Sequence, residues 1–286
     1  MKTFFILLLL GFSLLFLNTP AIAKQQTIAN PKTLLWQENN NLANIFTQAK
    51  INGTFVLYDL NAQTVVGHNH QRAKTQFFPA STFKIPNTLI GLETEAVKSV
   101  DQVLPYGGGP QPLEAWEQDM SLKEAIKVSN VPVYQELARR IGLKRMQEAV
   151  GILDYGNKKI GQKVDRFWLD GPLEISALEQ VWFLAQLAKK QLPASQASQQ
   201  AVKEIAKLET TPSYTLYGKT GTSAKNTPPV NWWVGWVEKD QNIYAFAINI
   251  NAPKSPEKQK AMEETLGQRI APGLGKLCLK ELNIIN

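Results

Sequence analysis

The chain contains one cysteine, Cys278, and two histidines, His68 and His70, among its 286 residues. An internal disulfide is therefore impossible, and the fold must be stable through packing alone. A metal site built from imidazole and thiolate needs three or four such ligands, and no third histidine or nearby cysteine accompanies this pair. We therefore predict no metal site and interpret His68 and His70 as a structural or solvated pair on one face of a strand.

The chain also lacks a concentrated block of like charge. Lysine and arginine total 31, aspartate and glutamate total 24, and the formal net charge of +7 is dispersed along the sequence. This dispersal argues against a nucleic-acid partner, which usually requires a basic patch. A diffuse positive charge does favour small anionic ligands such as carboxylates.

A long apolar run occurs at the N-terminus, over residues 4–17, and it follows Lys2. It is shorter than the roughly 20 residues of a spanning helix, and Ala21 and Ala23 have the spacing of a small-residue cleavage site. We predict a cleaved secretory signal peptide over residues 1–23, with no cysteine after it for lipid attachment and no stable membrane anchor. An exported chain without a disulfide suits a bacterial periplasm.

The remaining chain predicts an α+β fold with two groups of strands separated by a helical block. The strand groups are expected to pair into one antiparallel sheet that is flanked by terminal helices, with an all-helical second lobe beside it. Patterning predicts a hairpin over 54–60 and 64–70, and strands over 214–222, 232–237 and 243–250. The predicted division is a sheet lobe from 24–75 and 210–286 and a helical lobe over 76–209, with the site in the cleft between them.

Ser81 and Lys84 form the most informative short motif. A helix that begins at Ser81 would carry both side chains on one face, because positions i and i+3 are neighbours. Apolar surroundings disfavour the charged form of an amine, so Lys84 is predicted to be a neutral base beside a serine nucleophile. The alternative is an ordinary N-cap serine followed by a surface lysine. The flanking apolar residues are Phe77, Phe78, Phe83 and Ile85.

Two later segments supply candidate partners for this pair. Ser129 precedes Val131 and Pro132, and it is predicted to lie on a tight corner between two helices. Lys219-Thr220-Gly221 ends a predicted strand and suits a carboxylate, since it combines positive charge, a hydroxyl and room for close approach. A phosphate-binding loop is excluded because it needs glycine at position 213, which is serine.

S-x-x-K, a corner serine and K-T-G, in this order, form the motif set of the penicillin-recognising serine acyl-transferases. Within that superfamily the mature chain resembles the class D, oxacillinase-type, serine β-lactamases over essentially its whole length. The segments that carry the resemblance are Ser81-Thr82-Phe83-Lys84, Ser129-Asn130-Val131, Tyr155-Gly156-Asn157, Arg166-Phe167-Trp168-Leu169 and Lys219-Thr220-Gly221.

The resemblance implies a mechanism in which carbon dioxide, drawn from bicarbonate, carbamylates the Lys84 amine. The modified lysine would be the general base both when Ser81 is acylated and when water releases the product. Trp168 would donate its indole N–H to the carbamate. Ser129 would pass a proton toward the lactam nitrogen, and Lys219 would hold positive potential beside it. No separate cofactor molecule is implied.

The resemblance also implies how the substrate is held. Backbone N–H groups of Ser81 and Thr222 would form the oxyanion hole. Thr220, Gly221 and Arg269 would receive the substrate and its carboxylate, although a helix break follows Arg269 more closely than the family pattern has it. Val131 and Leu169 would form a lid over the pocket.

The implied substrate is a small β-lactam of the penicillin type, with carbapenems as a further candidate class, and the protein would act as a monomer or homodimer. Two alternatives stay open at this point. One is a penicillin-binding peptidase that is acylated but turns over slowly. The other is a non-catalytic domain that senses β-lactams.

Overall fold

The computed structural model describes residues 28–253 and 255–286, so the predicted signal peptide lies outside the described residues. Within these ranges one sheet has the strand order β1-β3-β2-β9-β8-β7-β6. Neighbouring strands are antiparallel except for β1 and β3, which are parallel. The strands are β1 (Trp36–Glu38), β2 (Gly53–Asp59), β3 (Thr64–His68), β6 (Lys207–Thr210), β7 (Thr215–Ser223), β8 (Val230–Lys239) and β9 (Asn242–Asn251), and a separate pair is β4 (Val103–Leu104) with β5 (Met120–Ser121).

Both faces of the sheet are covered, which explains why its central strands are almost continuously apolar. One face packs against the terminal helices in a core that includes Phe46, Trp233 and Leu274. The other face joins the helical block in a larger core. The terminal helices are α1 (Asn40–Ala49), α10 (Pro256–Leu266) and α11 (Ile270–Glu281). The predicted α+β architecture, with terminal helices flanking an antiparallel sheet, is confirmed.

The helical block lies between β3 and β6 in the chain, and α8 within it packs directly on β2 and β9. In the part of the chain that is described, no helix is both long and apolar enough to cross a bilayer. The division into two lobes stays a prediction. The helices of the block are α2 (His70–Lys74), α3 (Lys84–Glu93), α4 (Leu122–Val128), α5 (Val131–Ile141), α6 (Leu143–Ile152), α7 (Phe167–Asp170), α8 (Ala177–Ala188) and α9 (Gln196–Ile205).

The start of the helix at the S-x-x-K motif differs from the prediction. Ala80–Phe83 is a 3₁₀ turn, and the α-helix begins only at Lys84. Pro86 falls in the first turn of that helix, where backbone N–H groups have no intrahelical acceptor. Its lack of an N–H therefore costs no helical hydrogen bond. Inside a helix that begins at Ser81, Pro86 would remove a hydrogen bond, so the sequence predicts a local kink near Thr82. The structure shows instead a change from 3₁₀ to α geometry.

Three local predictions near the ends of elements were wrong. The sequence predicts a loop over 167–171, but Phe167–Asp170 is the short helix α7. It also predicts a C-terminal helix from Ser255 that is interrupted at Pro272-Gly273. The helices separate instead at Gly267, whose φ of 64° ends α10, and Pro272 lies within the first turn of α11. The two histidines do not share a strand face, because His70 begins α2 and stacks on Trp36 at 4.5 Å.

Candidate active site

The side chains of Ser81 and Lys84 meet as the i and i+3 spacing requires. Lys84 Nζ lies 3.0 Å from Ser81 Oγ, and Lys84 has no solvent exposure. Burial, and after it the positive charge of Lys219, holds the pKa of the Lys84 amine well below its usual range. A neutral amine beside a serine hydroxyl is the arrangement that activates a nucleophile.

Aromatic residues surround Lys84 and its neighbour Phe83. Lys84 Nζ lies 5.2 Å from the centre of the Tyr134 ring, and Tyr134 is fixed by a hydrogen bond of 2.9 Å between its hydroxyl and Thr88 Oγ1. The adjacent Phe83 stacks on Trp168 with ring centres 5.5 Å apart. Phe167 meets Phe83 edge to face at 5.0 Å. The amine is therefore held in a dry, largely apolar chamber.

The indole of Trp168 carries an unpaired polar group at this chamber. Trp168 is fully buried, and its Nε1 has no hydrogen-bond partner among the described residues. Leaving such a donor unpaired costs about 1–3 kcal/mol. Buried donors are usually satisfied, and an exception calls for an explanation such as a catalytic role or a bound group.

Buried hydrogen bonds fix the turn that carries Ser81, which spans Ala80–Phe83. Thr82 Oγ1 donates to Pro79 O at 2.7 Å and accepts from Gln180 Nε2 at 3.0 Å. Tyr155 OH lies 3.4 Å from Gln180 Oε1. Ala80 has a φ of +48°, a left-handed conformation that costs energy for alanine. The hydrogen bonds of Thr82 and Gln180 fix the turn that carries Ser81.

Gly221 allows strand β7 to pack directly against the same turn. A Cβ at this position would lie 2.9 Å from Pro79 O and 3.2 Å from Thr82 N. Only glycine allows β7 to approach the turn this closely. The strand segment that holds Thr220 and Thr222 therefore runs alongside Ser81.

Ser129 lies on the predicted corner between two helices. It ends α4 with a φ of 57°, and the Asn130 side chain caps α5 by accepting from Val133 N at 3.0 Å. Lys219 Nζ donates to Ser129 Oγ at 3.0 Å. Burial, followed by the positive charge of Arg269, lowers the pKa of the Lys219 amine to about 7. At neutral pH an amine with such a pKa is present in both its charged and its neutral form.

Thr220 and Arg269 line one cavity of about 920 Å³ beside this strand. Arg269 is exposed and precedes α11 at its N-cap position. Its guanidinium is close enough to act on the pKa of Lys219. The positive charge of Arg269 and the Thr220 hydroxyl on the lining of this cavity suit an anion such as a carboxylate.

The remaining predicted residues lie in two helices and a turn. Val131 is the first residue of α5 and Leu169 lies in α7, and both are half-buried. Their joint action as a lid stays a prediction. In the Tyr155-Gly156-Asn157 turn, Asn157 Nδ2 donates to Pro172 O at 2.9 Å. This turn is a structural support for the segment that follows α7.

Sequence reasoning did not identify three residues that shape the site. Thr82 and Gln180 form the hydrogen bond that fixes the Ser81 turn. Trp116 Nε1 donates to Val128 O at 3.0 Å next to the Ser129 corner. Thr82 could have been found as the polar residue inside the S-x-x-K motif. Gln180 and Trp116 carried no usable signal, because their partners are distant in the sequence or are backbone atoms.

Comparison with known proteins gives consistent matches. Residues 53–271 match the family model described as the penicillin binding protein transpeptidase domain. Beta-lactamase OXA-5 of Pseudomonas aeruginosa is 46% identical over 220 residues, which are 75% of this chain and 82% of that protein. Beta-lactamase OXA-48 of Klebsiella pneumoniae is 43% identical over 239 residues, 84% of this chain and 86% of that protein. The crystal structure of FUS-1 (OXA-85), a class D β-lactamase from Fusobacterium nucleatum subsp. polymorphum, matches with a TM-score of 0.81 and 43% identity, covering 87% of this chain and 100% of its own.

Proposed function

The chain belongs to the class D serine β-lactamases, and from that premise we propose that it hydrolyses penicillin-type antibiotics through an acyl-enzyme on Ser81. The observation that carries the proposal is the contact of 3.0 Å between Ser81 Oγ and the fully buried Lys84 Nζ. A charged surface lysine could not take a proton at neutral pH, whereas this amine can.

In acylation, the Lys84 side chain takes the hydroxyl proton as Ser81 Oγ bonds to the lactam carbonyl carbon. The carbonyl oxygen gains negative charge, and the backbone N–H groups of Ser81 and Thr222 stabilise it, each worth about 3 kcal/mol in comparable enzymes. The carbon–nitrogen bond of the ring then breaks. Ser129, held by Lys219, delivers a proton to the leaving nitrogen.

The residues around Lys84 fit carbon dioxide bound to Nζ as a carbamate. Carbamylation requires a neutral amine, and the lowered pKa of Lys84 supports one. The unpaired Trp168 Nε1 supports an acceptor that is still to be added in this chamber. The bound group would supply a carboxylate oxygen as the general base of both half-reactions.

In deacylation, the Lys84 side chain takes a proton from a water molecule, which attacks the ester carbonyl of acylated Ser81. We propose that Val131 and Leu169 keep the chamber dry between turnovers and yet admit this water. Thr220 and Arg269 bind the substrate carboxylate, and Gly221 lets the ring lie close to the strand. We further propose that residues 1–23 direct export, so that hydrolysis takes place in the periplasm.

We expect purified mature protein to hydrolyse nitrocefin at a steady rate well beyond one equivalent. A stoichiometric burst followed by a stall would instead favour a penicillin-binding peptidase or a sensor. Ser81→Ala is the control, and it should show neither turnover nor covalent labelling. A panel of a penicillin, oxacillin, a cephalosporin and a carbapenem then measures the substrate range.

We also expect carbon-13-labelled bicarbonate to give a carbamate resonance on the protein and to restore activity that is lost in carbonate-free buffer. Both effects should be strongest above the lowered pKa of Lys84, because only the neutral amine reacts. The Lys84→Ala variant should lack the resonance. A resonance that persists in that variant, or full activity without bicarbonate, would refute the proposed modification.

A further inference from the structure

A guanidinium and a carboxamide meet where α2 packs on the sheet. Arg72 belongs to α2, and Asn249 belongs to β9, where it is paired with Thr54 of β2. Arg72 Nε donates to Asn249 Oδ1 at 2.6 Å. Asn249 has no solvent exposure, and Arg72 is half-buried. This contact joins α2 to a strand that is 177 residues further along the chain.

Each of these two groups keeps one donor without an acceptor. Arg72 Nε can only donate, so Asn249 must turn its amide oxygen toward it, and this determines the orientation of the carboxamide. The amide nitrogen Nδ2 then has no hydrogen-bond partner among the described residues, and neither has Arg72 Nη2. Both nitrogen atoms are shielded from solvent. Two buried donors beside one contact call for an acceptor.

The positive charge of Arg72 is not balanced by a carboxylate. Among the ion pairs of residues 28–253 and 255–286, none includes Arg72. Its guanidinium carbon lies 4.8 Å from the centre of the Phe77 ring, and Trp232 meets Phe77 edge to face at 6.3 Å. Burial lowers the pKa of the Arg72 guanidinium to about 10. A buried cation is costly unless a negative charge accompanies it.

We propose that Arg72 Nη2 and Asn249 Nδ2 bind a small monovalent anion of the halide class. A water molecule would accept from both donors but would leave the charge of Arg72 unbalanced, whereas an anion supplies both the acceptor and the charge. The rings of Phe77 and Trp232 favour a weakly hydrated halide over phosphate or sulfate, whose dehydration costs more. The ion fastens α2 to β9 and takes no part in the proposed reaction.

The test follows urea unfolding at constant ionic strength while sodium chloride replaces sodium gluconate, whose anion is bulky. For the wild type we expect the equilibrium constant of unfolding to fall about tenfold when chloride reaches about ten times its dissociation constant. Asn249→Asp places a carboxylate beside Arg72. This variant should therefore have a higher unfolding midpoint than the wild type in gluconate, and its midpoint should not depend on chloride.

Arg139→Met is the matched control, because Arg139 is exposed and already pairs with Glu136 and Asp165. It should keep the chloride response of the wild type. Arg72→Met is the second variant, to be used if Asn249→Asp does not fold, and it should also lose the response.

Diffraction locates the ion directly. A crystal soaked in sodium bromide should give an anomalous peak within hydrogen-bonding distance of Arg72 Nη2 and Asn249 Nδ2, and no such peak in Asn249→Asp. Absence of the peak in the wild type would overturn the site. Equal wild-type midpoints in chloride and gluconate would also overturn it, because water then satisfies both donors. A chloride response that persists in Asn249→Asp would place the effect elsewhere and overturn the site as well.

Discussion

Lys84→Ala is expected to abolish β-lactam turnover, with acylation and deacylation each slowed by roughly 10²–10⁴-fold, the contribution of a positioned general base. The reason is that Lys84 Nζ contacts Ser81 Oγ at 3.0 Å and is fully buried. Stopped-flow measurement with a chromogenic substrate gives the acylation rate, and mass spectrometry of the covalent adduct gives the deacylation rate.

Lys203→Ala is the matched control for this result. Lys203 also lies over a tyrosine ring, with Nζ 5.4 Å from the centre of Tyr217, and it is mostly buried. Its partner is Glu238 on the far part of the sheet, so the variant should lose some stability and retain its acylation rate. Wild-type kinetics in Lys84→Ala would eliminate the assigned role of Lys84.

The wild type and the Lys84→Ala variant should differ in how their free energy of unfolding depends on pH. The folded-state pKa of Lys84 lies well below its unfolded value, so the unfolded chain binds a proton that the folded chain does not. Wild-type stability should therefore rise, relative to Lys84→Ala, as the pH increases from the folded pKa to about 10.4. Denaturant unfolding in carbonate-free buffer measures this slope, and parallel curves would show that Lys84 is charged when folded.

Trp168→Phe is expected to trap the acyl-enzyme. The change removes the unpaired indole N–H and keeps an aromatic ring against Phe83. Loss of one positioned donor should slow deacylation by roughly 10²-fold while acylation changes by only a few-fold. Mass spectrometry during turnover should then find most of the protein as the covalent adduct on Ser81.

Trp236→Phe is the control for this experiment. Trp236 is fully buried and stacks on Tyr217 with ring centres 4.6 Å apart, so the substitution is of the same kind at a site distant from Ser81. It should lower stability without accumulation of adduct. If Trp168→Phe also shows no accumulation, the indole N–H has no part in deacylation.

Local sequence patterns predicted the elements well where short-range energetics dominate. The strands β2 and β3 form the predicted hairpin. The S-x-x-E spacing at Ser121 and Ser176 predicts capping boxes, and these begin α4 and α8. Predictions failed where two local signals competed. Pro86 suggested a kink, but its place in the first turn of α3 makes it neutral.

The pairing of Ser81 with Lys84 was determined by the sequence itself, because a spacing of three residues in a helical turn places two side chains together whatever surrounds them. The corner at Ser129 followed likewise from Pro132 and the capping residues near it. The neutral state of Lys84 was decided only by the tertiary structure. Its pKa depends on desolvation by the surrounding core, which includes the Tyr134 ring, and desolvation is a property of packing among residues far apart in the chain. The contact between Lys219 and Ser129 and the cavity lined by Thr220 and Arg269 arose in the same way, since only long-range burial brings those elements together.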